Sequence, residues 1–267
     1  MKSRVDLYNS AYSHPRERVY GEIRRETYGL DLGQTSWTTA AELAEIPKLL
    51  RLSENSNALE IGSGAGGFAL ELAQTIRCRI TGIDMNSHGI DGANASAQQR
   101  NLAGHAKFLQ HDATQRFPFS DGALDAVFSN DAFCHIPNRP ALLTECHRVL
   151  KPGGRVLFSD ALVITGAVSN GELAARSSIG HYLFVAPGEN ERLLSAAGFT
   201  LLEARDTTHA CAEISRRWRD ARAKHRDDLV GIEGENNFEG LQHFLGCVHS
   251  LTSQRRLSRL LYLAERR

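Results

Sequence analysis

Between residues 57 and 160 short apolar runs alternate with stretches whose apolar positions recur every three or four residues. This is the pattern of strands joined by crossover helices in a parallel sheet. The runs predict strands at 58–61, 79–83, 107–110, 124–129 and 155–159, and the periodic stretches predict helices at 67–73, 87–102 and 139–150. Lys151-Pro-Gly-Gly154 reads as a stop and turn between the last of these helices and its strand. Upstream, residues 1–55 read as helices around one loop: 16–27 is polar and helix-permissive, 29–38 is loop-like, and Thr39 is placed to cap the run 40–52. Residues 161–198 read as an insertion with a helix from Glu172 to about Tyr182 and a second ending at Gly198. The remainder predicts a strand, two amphipathic helices and a last strand near 260–263. The expected fold is therefore α/β, with a doubly wound, mostly parallel sheet. An N-terminal helical lid (1–55) precedes one domain (56–267), which carries the insertion at about 161–198 before its sixth strand and a helical C-terminal extension at about 207–255.

Composition narrows the function. The 267 residues are 42% hydrophobic and 23% charged, ordinary for a soluble globular protein and wrong for a disordered or fibrous one. Lys and Arg number 31 against 31 Asp and Glu, so no basic field draws the chain to nucleic acid or anionic lipid, and a small ligand is the expected partner. The basic run 215–226 reads as a solvated helix face, diluted by Asp220 and followed by Asp227 and Asp228. Five scattered cysteines without a Cys-x-x-Cys pair argue for free thiols in a reducing compartment. No apolar run approaches the ~20 residues of a membrane helix, and Met1-Lys-Ser-Arg-Val-Asp6 lacks the apolar stretch of a signal peptide. A cytoplasmic monomer or homodimer without a bound metal is expected, because the histidines, His14 and His111 included, lack metal-ligand spacing.

The chemistry concentrates in Ala58-Leu-Glu60-Ile-Gly62-Ser63-Gly64-Ala-Gly66-Gly67, a strand running through a glycine turn into a helix. Glycines let the backbone turn sharply and approach a ligand, and a helix start presents unpaired N–H groups, so a nucleotide-like ligand belongs over this turn. Gly62, Gly64 and Gly67 also satisfy the dinucleotide pattern Gly-x-Gly-x-x-Gly, which leaves the nucleotide open. The second strand ends at Asp84, the third at Gln110-His-Asp112-Ala113, and the fourth at Ser129-Asn130-Asp131-Ala-Phe-Cys-His135. Polar groups thus collect at the carboxyl ends of successive strands, where open α/β sheets bind ligands.

With these residues in place the stretch from Asn57 to Asp160 resembles the class I S-adenosylmethionine-dependent methyltransferases, which have a Rossmann-like fold. The resemblance rests on Glu60 two positions before the first glycine, on Gly62, Gly64 and Gly66, on Asp84 and Asp112, and on Lys151-Pro-Gly-Gly154. It implies S-adenosyl-L-methionine as cofactor and S-adenosyl-L-homocysteine as product. Glu60, Ser63 and the glycines would face the methionine end, Asp84 the ribose and Met85 the adenine, while Asp112, beside Ala113, would receive the adenine amino group. Asn130 and His135 complete the implied cofactor set.

The flanks are similar to phosphoethanolamine methyltransferases and, more loosely, to sarcosine and sterol methyltransferases. In the phosphoethanolamine enzymes an N-terminal Tyr meets a His after the fourth strand as a latch, which implies Tyr12 and His135 as the latch here, with Asp131 as a substrate-side acid. The loop containing Trp37 and Thr38 falls where that family covers the cofactor. Its phosphate-gripping Arg is absent beside Tyr182, where Gly180 stands, and its C-terminal Lys becomes His249; Arg176, one helical turn away, is the candidate replacement. Tyr8, Tyr12, Tyr20, Tyr28 and Trp37 crowd the first 40 residues, and Tyr20 joins Tyr12, Asp131, Arg176, Tyr182 and His249 as a candidate substrate contact. Rings of this kind can touch a sulfonium or amine, or simply pack the N-terminal helices onto the sheet. His135 is a candidate base, since an imidazole titrates near neutral pH. The expected reaction is in-line methyl transfer to a small acceptor, an amine nitrogen first. Oxygen, sulfur or carbon acceptors, a non-catalytic cofactor-binding protein and NAD-dependent oxidation stand as alternatives.

Overall fold

The computed structural model describes residues 5–14 and 17–267. Met1–Arg4 and Arg16, the first residue of the polar helical stretch, lie outside the described residues. Three helices come first: α1 (Tyr8–Ser13), α2 (Arg18–Tyr28) and α3 (Ala40–Leu49). Thr39 caps α3 through a reciprocal capping box with Glu42, which satisfies two N–H groups that the helix leaves open.

Strands and helices then alternate: β1 (Asn57–Ile61), α4 (Gly67–Ile76), β2 (Arg79–Asp84), α5 (Ser87–Gln99), β3 (Ala106–Gln110), β4 (Leu124–Ser129), α6 (Arg139–Val149) and β5 (Leu150–Ile164). The chain continues with α7 (Asn170–Arg176), α8 (Glu189–Ala196), β6 (Phe199–Asp206), α9 (Thr208–Lys224), α10 (Arg226–Glu233), α11 (Glu235–Ser253) and β7 (Leu257–Arg266). Seven strands form one sheet in the order β3-β2-β1-β4-β5-β7-β6, parallel except that β7 runs antiparallel to both of its neighbours. The order reverses between β1 and β4, and a crevice opens at that switch point.

Alternation along the strands explains the two layers. Ala58, Ile80, Phe108, Ala126 and Phe128 pack with α3, α4 and α5 on one face, while Leu59, Ile61, Ile83, Val127 and Phe158 pack with α6 and α8 on the other. Both faces are covered, which is why these strands read as nearly continuous apolar runs. A third cluster, built on Tyr20, Trp37, Trp218 and Phe244, joins α2, α9 and α11 above the crevice.

Three local readings change. The helix from Glu172 to about Tyr182 ends at Arg176, because Ser177, Ser178 and Gly180 do not sustain it. Residues 207–255 hold three helices instead of two, divided at His225 and at Gly234, whose φ of +79° no helix accommodates. Lys151–Gly154 does not precede β5 but bulges within it, with pairing to β4 at Leu150 and again from Arg155.

Candidate active site

The crevice is a cavity of about 1020 Å³ above the carboxyl ends of the central strands, reached by α1, the loop before α3 and the segment after α7. Its floor is the glycine turn. Gly62 has φ +74° and faces the Ala132 side chain so closely that a Cβ there would collide with it, so any other residue would push β1 and β4 apart. Gly66, also left-handed, caps α4, whose first N–H groups face the turn.

Two carboxylates sit beneath and beside this turn. Asp84 accepts hydrogen bonds from Gly64 N and Asn86 N, both at 2.8 Å, which ties the end of β2 to the turn; burial raises its carboxyl while those bonds oppose the rise. Glu60 is 1% exposed, Asn130 Nδ2 approaches its Oε1 at 3.4 Å, and its Oε2 has no partner. Burial pushes the Glu60 carboxyl up to about 8. A buried acceptor this poor in donors is costly, and Glu60 lies beneath the glycine turn, behind the residues that line the cavity. Asp112, held below the usual carboxylate range by the Thr114 N–H at 2.9 Å, lines the far end of the cavity beside Ala113. Met85 stands 67% exposed at its mouth, a large apolar side chain free to cover a flat ring. The carboxylate ending β2, the apolar cover and the distal acid along this cavity fit the sugar and base of S-adenosylmethionine, with the Glu60 carboxyl buried beneath the turn.

At the other end His135 ends a short turn after β4, at Phe133–His135. Its Nδ1 lies 2.9 Å from the His181 carbonyl and must carry the proton, which leaves Nε2 to accept from the Tyr8 hydroxyl at 2.8 Å. Burial, with Arg176 nearby, lowers the imidazole to about 4, so it is neutral at neutral pH. Tyr182 packs on the His135 ring at 4.3 Å between centroids.

Several expected contacts change. The latch to His135 is Tyr8, not Tyr12: Tyr12 lies over Gly64 and bonds Thr35 Oγ1 at 2.9 Å, on the side of the glycine turn. Asp131 borders the cavity, but its oxygens are taken by Arg259 Nε and Trp37 N, both at 2.8 Å, so it does not act as a free substrate-side acid. Thr38 sits behind the wall, donating to Asn130 and accepting from Arg259 Nη2 at 3.0 Å, while Trp37 itself lines the cavity. Tyr20 is buried away from the cavity and donates to Glu233 at 3.3 Å. His249 bonds the Ala212 carbonyl at 3.0 Å and joins α11 to α9 instead of reaching substrate. Arg176 and Tyr182 do line the cavity, as do Ser63, Asn130 and Gly62.

Two residues were missed as site groups. Tyr8 is four positions before Tyr12, hence on the same helix face, and that spacing marked both. Arg259 is a lone cation in the apolar run Leu257–Leu263, which signals a buried partner. Its guanidinium reaches Asp131, Glu42, Thr38 and Thr207 from β7.

A doubly wound sheet whose switch point carries a glycine turn, a buried carboxyl beneath it and an acid closing β2 is an arrangement that can hold a nucleoside-bearing ligand. Residues 59–158 match the family described as a methyltransferase domain. The chain is 31% identical over 167 residues to O-methyltransferase rstn1 of Aspergillus nomiae, covering 61% of this chain and 72% of that one. It is 28% identical over 225 residues to the phosphoethanolamine N-methyltransferase of Triticum aestivum, covering 84% of this chain but 42% of that one. In fold it is similar to phosphoethanolamine N-methyltransferase 2 of Haemonchus contortus, with a TM-score of 0.80 at 20% identity over 97% of this chain and 59% of that one. The chain belongs to the S-adenosylmethionine-dependent methyltransferases of class I.

Proposed function

We propose that this protein methylates an amine nitrogen of a small acceptor held between Tyr8, His135 and Tyr182. S-adenosylmethionine, when bound, would supply an electrophilic methyl group that the acceptor's lone pair takes in line as the C–S bond breaks, the thioether leaving as S-adenosylhomocysteine. Glu60, Asp84 and Asp112 would hold the amino acid, sugar and base ends, and Trp37 would exclude water from above. Displacement of this kind needs no covalent nucleophile, so the residues work by alignment and desolvation.

An ammonium has no lone pair and must lose a proton before it attacks. The neutral His135, its Nδ1 fixed by a carbonyl and its Nε2 directed at the Tyr8 hydroxyl, is the observation that carries this reading. As the acceptor's proton passes to Tyr8 Oη, the Tyr8 proton moves to Nε2; burial disfavours the imidazolium so formed, so its charge is short-lived and the proton passes on to solvent. Such general-base help contributes about 10²–10⁴-fold. The same pair suits a hydroxyl acceptor, and the relative rstn1, named an O-methyltransferase, favours oxygen as the second reading. The five free thiols support a reducing, cytoplasmic setting. No helix among the described residues is long and apolar enough to cross a membrane.

The test is incubation with methyl-labelled S-adenosylmethionine and matched amines, alcohols, thiols and carboxylic acids, followed by product mass spectrometry. Label on nitrogen is the expected outcome. Label only on oxygen, sulfur or carbon overturns the amine reading, and absence of turnover overturns the catalytic one.

A further inference from the structure

A six-residue helix does not hold itself in water, where isolated helices shorter than about 12–15 residues are marginal. α1 has that length, yet it carries Tyr8, whose hydroxyl lies 2.8 Å from His135 Nε2. The ties of α1 to the rest of the molecule therefore decide where Tyr8 stands. On the cofactor side Asn86 Nδ2 donates to Asn9 Oδ1, and Tyr12 bonds Thr35, both at 2.9 Å. The other tie comes from the start of α11, outside the cavity.

There the side-chain amide of Asn237 faces the peptide group of Asp6. Asp6 N donates to Asn237 Oδ1 at 2.8 Å, and Asn237 Nδ2 donates to the Asp6 carbonyl at 2.9 Å, with Ser10 Oγ 3.4 Å from the same nitrogen. A primary amide presents a donor and an acceptor side by side, which matches the N–H and C=O of one residue. The Asp6 carboxylate in turn accepts from Asn9 N at 3.0 Å and so starts α1, which passes the clamp on to the helix two residues before Tyr8. One turn further along α11 stands Gly240, where a Cβ would meet Val5 Cγ2 at 2.6 Å; this face of α11 is bare where the segment 5–6 crosses it. The clamp is itself anchored: Glu233, at the end of α10, pairs with the buried Arg222 of α9, and the Phe238 ring lies 5.5 Å from both the Arg222 and the Arg226 guanidinium carbons.

We infer that Asn237, with the space left by Gly240, is a positioning residue for the Tyr8–His135 pair, acting through the Asp6 peptide on the direction of α1. The inference rests on the proposed proton path from Tyr8 to His135. Neither Asn237 nor Gly240 lines the cavity, so neither borders the space for cofactor or acceptor, and any influence on the reaction passes through the segment they hold. A misplacement of about 1 Å can cost about 10²-fold in rate, which makes the fixing of one peptide matter to a hydroxyl two residues away.

Nitrogen NMR of histidine-labelled protein saturated with S-adenosylhomocysteine tests this at neutral pH, where the buried His135 is uncharged. Its Nε2 resonance, assigned with His135→Gln, senses the hydrogen bond accepted from Tyr8, and Tyr8→Phe gives the position with that bond lost. Asn237→Ala is expected to move the resonance to the Tyr8→Phe position. Asn237→Asp, which keeps the acceptor for Asp6 N but not the donor, is expected to move it part of the way. Gly240→Leu is expected to give the full shift with Asn237 intact, and since leucine favours a helix more than glycine does, a weakened α11 does not explain that result. His249→Ala, which loosens α11 from α9 further along, is expected to leave the resonance in place. A resonance unmoved in Asn237→Ala or in Gly240→Leu, or moved as far by His249→Ala, overturns the inference. If Asn237→Ala does not fold, Gly240→Leu decides alone. A resonance unmoved by Tyr8→Phe would instead remove the proton path itself, a result distinct from an intact Tyr8–His135 bond indifferent to Asn237.

Discussion

The two ends of the cavity are built by different means. At the glycine turn, ligand-facing groups come largely from strand tips and the loops after them, so backbone positions set by the sheet do most of the holding. At the acceptor end, Tyr8, His135, Arg176 and Tyr182 are side chains delivered by a terminal helix, a turn after β4, the end of α7 and the segment beyond it. One end is fixed by a single stretch of about fifty residues; the other exists only after distant segments have packed. On the proposed reading, the difference makes cofactor use chiefly a property of the sheet and acceptor choice one of the cover, with Tyr12 over Gly64 the place where the two meet.

Four substitutions break or sharpen that contrast. The largest effect is expected from His135→Ala, which should lower kcat by about 10²–10⁴-fold, with cofactor affinity by calorimetry little changed. A parallel loss of cofactor affinity would show that the two ends are not separable. Gly62→Val should do the reverse, weakening S-adenosylhomocysteine binding by about 100-fold, since a left-handed φ and the clash with Ala132 cost roughly 3 kcal/mol together.

Glu60→Gln should reduce cofactor affinity by about tenfold, the scale of one charged hydrogen bond. It should also remove a pH dependence. Burial holds the unliganded carboxyl protonated up to about 8, and a cation requires it ionised, so affinity should tighten as pH rises toward 8 and then level off. Titrations at pH 6.5 in two buffers of unlike ionisation enthalpy should report proton release on binding; no release, or an unchanged profile in Glu60→Gln, would discard the assignment. The smallest effect belongs to His249→Ala, which loses a helix–helix bond outside the cavity and should change kcat/KM by less than about twofold. A larger change would bring α11 back into the acceptor site.

The same division governs what could be read from the sequence. The glycine turn, Asp84 and Asp112 follow strands whose apolar runs are nearly continuous, so their place at the strand tips follows from the pattern alone. The helical cover carries no such address. Tyr8 and Tyr12 share one face of α1, and only the angle at which that short helix meets the sheet decides which reaches His135. Tyr20 looked like a ring for the ligand, but the face of α2 that carries it meets α9 and Glu233. Asp131 was legible as an acid beside the site, not as one neutralised by Arg259 more than a hundred residues later.

That last contact has a temporal consequence. Arg259 clamps Thr38 and Glu42 near one end of the molecule to Asp131 in its middle, so the roof over the crevice cannot be secured while β7 is still inside the ribosome. A nascent chain would emerge with its glycine turn formed and its roof loose, and it would gain competence only as the seventh strand slides between the fifth and the sixth.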